Sequence, residues 1–219
     1  MKDLVVVGTS LFAEVVRDYF HEYTDYRVCA FSCHEKHKDQ EEFCGMPVVT
    51  IETLEQHYHP DKVAVFVAIG YRKMNKIRQA TYEELKARGY SFATFIAPSV
   101  KIWSSNRFGE NVFIFENNVI QPYVSIGDNT VLWSGNHIGH HSTIGNHCFI
   151  SSHVVVSGSC RIGDNCFLGV NSTLHDGLTI GPENLIGAGA IIARDTRARE
   201  VYVPNATKVF PKPSDQLEF

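Results

Sequence analysis

The sequence predicts a mixed fold, in which a small parallel α/β domain over residues 1–92 is followed by a parallel β-helix over residues 93–219. Short apolar runs alternate with stretches of helical spacing in the first part, as is typical of a parallel sheet covered by helices. From Ile96 onward the period changes, and an apolar residue recurs at every sixth position. A fixed short repeat of this kind is typical of stacked coils in which each unit buries its apolar residue against its neighbours.

Strand and helix patterns alternate through residues 1–92. Leu4 to Val7 is a short buried strand that ends in a glycine turn at Gly8, and apolar side chains at helical spacing follow. The complete set comprises strands at 4–8, 26–31, 63–69 and 91–95 and helices at 12–20 and 74–87. The polar and charged segment 32–47 is predicted to be a loop over the edge of the sheet.

The six-residue repeat runs from Ile96 to Ile192. All 17 positions of this frame are apolar in a chain with 44% hydrophobic residues, which chance would produce roughly once in a million trials. Mostly small or amide side chains stand four positions after each apolar residue, among them Cys148, Cys160 and Cys166, and glycine directly follows the apolar residue eight times. We expect three hexads to form each triangular coil, with the small side chains inside and the glycines adopting positive φ at the corners.

Composition and charge argue against several classes of protein. The net charge is −4 and no run of Lys or Arg occurs, so no nucleic-acid partner is expected. No apolar run approaches the roughly 20 residues that cross a bilayer. The apolar N-terminal run leads into a glycine turn instead of a cleavage site, which predicts a cytoplasmic protein with no membrane partner. Six cysteines without a Cys-x-x-Cys pair do not indicate a disulfide framework.

The turn Gly8-Thr9-Ser10 lies between a strand and a helix, where backbone N–H groups at the helix start can bind a phosphate. A dinucleotide site would need Gly-x-Gly-x-x-Gly and an acidic residue at the end of the second strand. The chain has neither, so no NAD or FAD is expected. A second glycine turn follows the strand at 63–69, in the segment Ala68-Ile69-Gly70-Tyr71-Arg72-Lys73-Met74-Asn75.

These two turns and the six-residue array together resemble the bacterial nucleotide-sugar N-acetyltransferases and sialic-acid O-acetyltransferase-like proteins, which are hexapeptide-repeat acyltransferases. The resemblance covers nearly the whole chain. It implies a Rossmann-like first domain, a left-handed β-helix, and acetyl-CoA-dependent N-acetylation of a nucleotide-linked amino deoxysugar, such as a 4-amino-4,6-dideoxy sugar destined for O-antigen or a related surface glycan. The residues that it implies for the nucleotide sugar are Gly8, Thr9, Ser10, Phe31, Ser32, Gly70, Tyr71 and Arg72.

The resemblance also implies where acetyl-CoA binds and how the chain assembles. Members of this family are homotrimers whose acetyl-CoA sites lie between adjacent subunits and use main-chain groups and apolar walls. The matching positions here are Phe149, Gly158, Val170, Gly187, Ala188 and Lys208. Phe149 stands where some relatives have a histidine close to the thioester. We therefore expect a homotrimer with acetyl-CoA as its co-substrate.

The family places a histidine in segments that resemble V-[DE]-H-[DE]-C-x-I-G, and alignment backward from Ile144-Gly145 matches it to His140. Histidine titrates near neutrality, which suits a general base for a sugar amine. The two acidic neighbours of the pattern are replaced by Gly139 and His141. His140 is thus the predicted catalytic residue, and no adjacent carboxylate is present to fix its tautomer.

Three alternatives remain beside this hypothesis. A sugar O-acetyltransferase would use the same histidine base, and a noncatalytic nucleotide-sugar-binding protein would bind without turnover. A zinc enzyme resembling the γ-class carbonic anhydrases is disfavoured, because no two histidines of the cluster His137, His140, His141, His147 and His153 are 18 or 36 residues apart, as ligands stacked on one face of such coils would be. No metal is expected.

Overall fold

The computed structural model describes residues 2–209 and 211–217. Its first part is a six-stranded sheet with the strand order β3-β4-β2-β1-β5-β6, in which all pairs are parallel except the hairpin β3–β4. The elements are β1 Lys2–Val7, α1 Leu11–Tyr23, β2 Tyr26–Cys33, β3 Glu42–Phe43, β4 Met46–Thr50, α2 Leu54–His57, β5 Val63–Val67, α3 Lys76–Ala87 and β6 Ser91–Phe92. Short 3₁₀ turns lie at Glu35–His37, Ile51–Thr53 and Ser214–Gln216. None of the helices in the described residues has the length and apolar character needed to span a membrane.

The structure corrects two details of this region. The segment 32–47, predicted to be a loop, contains β3 and the start of β4, and β4 adds a parallel strand next to β2. The hairpin turns at Cys44 and Gly45, whose φ angles of 51° and 73° are the pair that a two-residue turn requires. Helix α3 begins at Lys76, two residues later than predicted, because Met74 and Asn75 have positive φ, which a right-handed helix excludes.

The second part is a parallel β-helix of two-residue strands, arranged in three sheets. The face that contacts the α/β domain, named the covered face, consists of Phe95–Ile96, Phe113–Ile114, Val131–Leu132, Phe149–Ile150, Phe167–Leu168, Leu185–Ile186 and Val201–Tyr202. The apolar face consists of Val119–Ile120, His137–Ile138, Val155–Val156, Thr173–Leu174 and Ile191–Ile192. The polar face consists of Arg107–Phe108, Ser125–Ile126, Thr143–Ile144, Arg161–Ile162 and Thr179–Ile180.

The second residue of each strand points into the coil, so the predicted frame forms the core of the β-helix. Ile138, Ile150 and Leu168 are fully buried, and strand partners are 18 residues apart, as in the pair His137 with Val155. Cys148, Cys160 and Cys166 are free thiols, fully buried at the small inward position. Burial raises the pKa of the Cys160 thiol, as expected for an inert space-filling group.

The corner glycines have a different role from the one predicted. The positive φ angles fall two residues after the glycine, at positions such as His141, His147 and Asn165. Gly163, which follows an inward isoleucine, has no positive φ; instead, a Cβ there would lie 2.7 Å from the backbone nitrogen of Pro182 in the next coil. These glycines therefore permit close stacking of coils, and the left-handed residue is most often asparagine, histidine or glycine, with Tyr123, Ser159 and Glu183 at other corners.

The α/β domain packs onto the covered face through aromatic rings and one buried cation. Phe20 and Phe66 contact Phe113, with ring centroids 6.0 and 5.4 Å from it. Arg78 of α3 is fully buried and donates to the carbonyl oxygens of Asn129, His147 and Cys148 of the β-helix at 2.9–3.2 Å. The same guanidinium donates to the Ile69 and Gly70 carbonyls at 3.3 Å. Arg78 therefore ties the glycine turn after β5 to two coils of the β-helix.

Candidate active site

A cavity of about 1130 Å³ opens beside the carboxyl ends of β1, β2 and β5. Parallel sheets characteristically bind ligands at this edge. The lining residues include six of the eight that were predicted to hold the nucleotide sugar, namely Gly8, Thr9, Ser10, Gly70, Tyr71 and Arg72. The sheet topology brings the two glycine turns together because β1 and β5 are neighbouring strands.

The glycine turn before α1 leaves backbone donors facing this cavity. Gly8 has φ +136°, and a Cβ at this position would lie 2.6 Å from the Ala68 carbonyl oxygen, so only glycine fits without strain. Ser10 is the residue before the helix, and its side chain makes no capping hydrogen bond. The first N–H groups of α1 are thus available to an anion, as phosphate-binding turns require.

Phe31 and Ser32 do not line the cavity, contrary to prediction. Both are fully buried; Phe31 packs against the ring of Phe43, and the Ser32 carbonyl accepts a hydrogen bond from the Gly8 N–H at 2.7 Å. Strand β2 continues to Cys33, two residues beyond the predicted end. The residues that reach the cavity are therefore Cys33 and His34.

The charge of the cavity is positive. Its lining contains Lys36, Arg72, Lys73 and Lys76, and no Asp or Glu of the described residues is among the lining side chains. His34 contributes a further polar group, and its ring is held by Glu52 at 3.2 Å. Sequence reasoning missed Lys36 and Lys76, although the segment after β2 was recognised as polar and charged. A cavity lined by cations and free N–H groups suits a diphosphate.

His140 lies at the vertex between the apolar face and the polar face, in the corner 139–142, and it is exposed. Its backbone N–H donates to Gln121 Oε1 at 2.8 Å in the coil below. Its ring extends over Gly158 in the coil above, where an added Cβ would lie 2.8 Å from His140 Cε1. Its Nδ1 is 3.1 Å from Nδ1 of His141.

The other histidines of the cluster do not converge on His140, apart from His141. His147 lies at the domain interface, where its Nδ1 is 2.9 Å from Asn129 Nδ2. Burial, and secondarily the nearby Arg78 guanidinium, lowers the pKa of His147. His153 is exposed, with its ring against Gly135. Among residues 2–209 and 211–217, no three His, Cys, Asp or Glu side chains are arranged to hold a metal ion.

The residues predicted to bind acetyl-CoA occupy four separate places. Gly158 stacks directly above His140. Val170 and Ala188 lie 18 residues apart at the vertex between the covered and apolar faces, next to Gly187. The two remaining positions are Phe149, which is buried on the covered face with its ring 4.9 Å from Tyr71, and Lys208, which is exposed beyond the last strand. The structure therefore does not gather these residues into one site within the chain.

The cavity at the two glycine turns and His140 lie on opposite sides of the β-helix. The cavity is bounded by Tyr71, whose ring contacts Phe149 and Phe167 on the covered face at 4.9 and 4.7 Å. His140 lies at the vertex where the two other faces meet. In a triangular coil that vertex is opposite the covered face, so one chain cannot bring the two together.

Two family models match the chain. The PglD N-terminal domain matches residues 3–85, and the bacterial transferase hexapeptide model, which describes six repeats, matches residues 123–158 and 159–194. Together they cover more than half of the sequence. A comparison with curated proteins found no match.

Solved structures extend the likeness to both parts at once. A variant of perosamine N-acetyltransferase from Caulobacter crescentus, solved with CoA and GDP-perosamine, is 25% identical with a TM-score of 0.81, covering 92% of this chain and 93% of that chain. The acetyltransferase domain of PglB from Neisseria gonorrhoeae FA1090 is 22% identical, also with a TM-score of 0.81, covering 92% and 96%. These matches confirm the predicted left-handed β-helix. The chain belongs to the hexapeptide-repeat acyltransferases that carry a PglD N-terminal domain, and it is an acyltransferase enzyme.

Proposed function

We propose that this enzyme transfers the acetyl group of acetyl-CoA to the amine of a nucleotide-linked amino deoxysugar, of the 4-amino-4,6-dideoxy class. The observation that carries the proposal is the cationic cavity at the two glycine turns. The similar perosamine N-acetyltransferase, solved with CoA and GDP-perosamine, supports both substrates.

The α/β domain binds the nucleotide in this proposal. The diphosphate lies at the N-terminus of α1, where the Gly8 turn allows close approach, and Arg72 and Lys36 balance its charge. The sugar then extends from the cavity mouth past Tyr71, which is half exposed at 51%. Binding energy from the nucleotide is used to orient the sugar amine for reaction.

His140 acts as the general base. The amine nitrogen attacks the thioester carbonyl carbon, its proton passes to Nε2 of His140, and the C–S bond breaks so that CoA leaves as the thiol after protonation. No acyl-enzyme forms. Exposed apolar residues at the neighbouring vertex, such as Val170 with 44% exposure, supply the apolar wall for CoA.

A homotrimer completes the proposed site. The apolar face exposes Val119, Val155 and Ile191 to 54%, 36% and 70%, whereas the corresponding residues of the polar face include Arg107 and Arg161. Burying such a stripe between copies removes apolar surface from water. Assembly through this face also offers a way to bring His140 of one subunit toward the cavity of another, which a single chain cannot do.

The test is an assay of CoA thiol release with UDP-, dTDP- and GDP-linked 4-amino sugars for the wild type and His140→Ala. We expect turnover with at least one sugar, and a loss of roughly 100-fold or more in kcat for the variant because a positioned base is removed. His175→Ala removes an exposed histidine at the same vertex, two coils from His140, and serves as the control with unchanged kcat.

Each outcome decides one part of the proposal. Unchanged turnover in His140→Ala would remove this residue from the mechanism while leaving the acetyltransferase intact. Binding of a nucleotide sugar without any turnover would instead favour a noncatalytic binding protein. Product analysis by mass spectrometry and base treatment distinguishes an amide from an ester, and an ester product would contradict N-acetylation.

A further inference from the structure

Among the residues that the structure describes, one polar side chain contacts the ring of His140, and that side chain is the ring of His141. The two Nδ1 atoms are 3.1 Å apart, which is hydrogen-bond distance. The rings meet edge to face, at 84° and with centroids 5.3 Å apart. No carboxylate of the described residues makes a hydrogen bond or ion pair with His140.

The position of His141 is fixed independently of His140. Its ring stacks on Tyr123, one coil below, with centroids 4.6 Å apart and planes 23° from parallel. Its backbone N–H donates to the Pro122 carbonyl oxygen at 3.2 Å, and its φ of 59° belongs to the regular left-handed position of each corner. The corner backbone and the stack on Tyr123 therefore place the His141 ring beside that of His140.

The ring of His140 is confined on its other side. Its Cε1 and Nε2 atoms lie where the missing side chain of Gly158 would be, at 2.8 and 2.9 Å from an added Cβ. With Gly158 above and His141 beside it, the ring has its Nδ1 atom directed at His141 and its Nε2 atom directed away from it.

A hydrogen bond between the two Nδ1 atoms uses one proton. Whether this proton is bonded to His140 or to His141 decides whether His140 can act as a base. If His141 donates this proton, neutral His140 carries its own proton on Nε2 and has no lone pair there. If His140 donates, Nε2 is free to accept the proton of the substrate. The second arrangement is the one that general-base catalysis requires.

We propose that His141 is a positioning residue that accepts the Nδ1–H of His140 and thereby holds Nε2 of His140 unprotonated and directed at the substrate amine. This inference rests on the proposed function of His140. His141 takes the role that an adjacent carboxylate has in a histidine–carboxylate pair. The neutral acceptor also stabilises the imidazolium that forms when His140 takes the proton.

Three variants of His141 test whether this residue acts as a hydrogen-bond acceptor or only through packing. His141→Phe keeps a flat ring on Tyr123 but removes the acceptor, whereas His141→Asn and His141→Asp lose the ring and supply an oxygen acceptor at a left-handed corner that asparagine occupies elsewhere in the coil. We expect His141→Phe to lower kcat by about 10-fold or more with KM changed by less than about 3-fold. His141→Asn and His141→Asp should keep kcat within about 3-fold of the wild type.

Two outcomes would overturn the proposal. If His141→Phe retained kcat, no acceptor would be needed; if the asparagine variant lost as much kcat as the phenylalanine variant, His141 would act through packing. Long-range ¹H–¹⁵N correlation of the histidine rings gives a second readout that needs no substrate. We expect wild-type His140, assigned by its absence in His140→Ala, to be protonated on Nδ1, and a protonated Nε2 would contradict the proposal.

The same measurements keep this inference distinct from the proposed function. Wild-type turnover that is lost in His140→Ala supports the acetyltransferase even if every His141 variant is fully active. Absence of turnover with every sugar would contradict the acetyltransferase, and the tautomer of His140 would still report whether His141 is its acceptor.

Discussion

His147 and His153 stand six residues apart at equivalent corner positions, both with φ 58°, yet their environments differ. His153 is exposed, whereas His147 is buried against α3, with its Nδ1 next to Asn129 Nδ2. An amide NH₂ can only donate, so Nδ1 of His147 is the acceptor and the imidazole is held neutral. Burial and the Arg78 guanidinium lower the pKa of His147 in agreement with this arrangement.

This burial predicts a pH-dependent stability. The pKa of His147 in the folded chain lies below its ordinary value of about 6.5, so the unfolded chain binds more protons as the pH falls below that value, and the free energy of unfolding decreases. His147→Asn removes the titrating group and keeps a residue suited to the left-handed corner. We expect a smaller loss of unfolding free energy between pH 7.5 and pH 5.5 in this variant than in the wild type, measured by urea denaturation.

His153→Asn is the matched control, because it makes the same change at the same corner geometry on the exposed surface. This variant should lose as much unfolding free energy as the wild type over the same pH interval. Equal losses in the wild type and His147→Asn would mean that His147 is not the group that titrates.

Individual residues show which parts of the candidate site could be predicted from the sequence and which could not. The corner of His140 follows from the frame set by Ile138 and Ile144, so its exposed vertex was predictable. The partnership with His141 depends on the side-chain rotamers of both rings and on the stack on Tyr123, and a spacing of one residue does not determine these. Phe31 was misplaced because the end of β2 could not be located to within two residues.

At the scale of elements, the six-residue frame could be predicted with accuracy because every hexad places one apolar residue inside the coil. The hairpin β3–β4 could not, since its strand β3 has two residues and its turn uses Cys44 and Gly45 in a segment rich in charge. The start of α3 was misjudged for a similar reason. Lys73 to Asn75 form a run of three left-handed residues beside the cavity, which no local propensity favours.

The two kinds of glycine in the coils give a prediction at this scale. Gly163 has ordinary φ, but a Cβ would lie 2.7 and 2.9 Å from the Pro182 nitrogen and Cα in the next coil, so Gly163→Ala must separate two coils. We expect a loss of about 1–3 kcal/mol in the free energy of unfolding, as for other overpacked sites. The measurement is urea denaturation at a fixed protein concentration.

Gly177 provides the contrast, because it has φ +72° and open space around the position of a Cβ. Asn165 and Asn171 occupy the equivalent corner position with φ of 59° and 57°. Gly177→Asn should therefore change the unfolding free energy by less than about 1 kcal/mol. A larger loss for Gly177→Asn than for Gly163→Ala would contradict the division into stacking glycines and left-handed corner residues.

At the scale of the whole molecule, the α/β domain covers one face of the triangular coil and His140 occupies the opposite vertex. The link between the two parts is rigid, since Arg78 is fully buried and bonded to carbonyl oxygens of both. A hinge that carried the cavity around the coil would leave these carbonyls and the guanidinium without partners, at a cost of several kcal/mol. An active site that uses both regions must then combine two subunits.

Mixed oligomers test this arrangement directly. Arg72→Glu reverses a charge in the cavity, and His140→Ala removes the proposed base; we expect each variant alone to be inactive. In trimers assembled at random from equal amounts of both chains, a site that pairs the cavity of one subunit with His140 of the next is intact in about one case in four. Purification through two affinity tags removes the trimers of a single chain type, and each remaining mixed trimer has one intact site among its three, so it should show roughly a third of the wild-type turnover per site. If the cavity and His140 of the same chain formed the site, every site would carry one defect, and the mixed trimers would be as inactive as the separate variants.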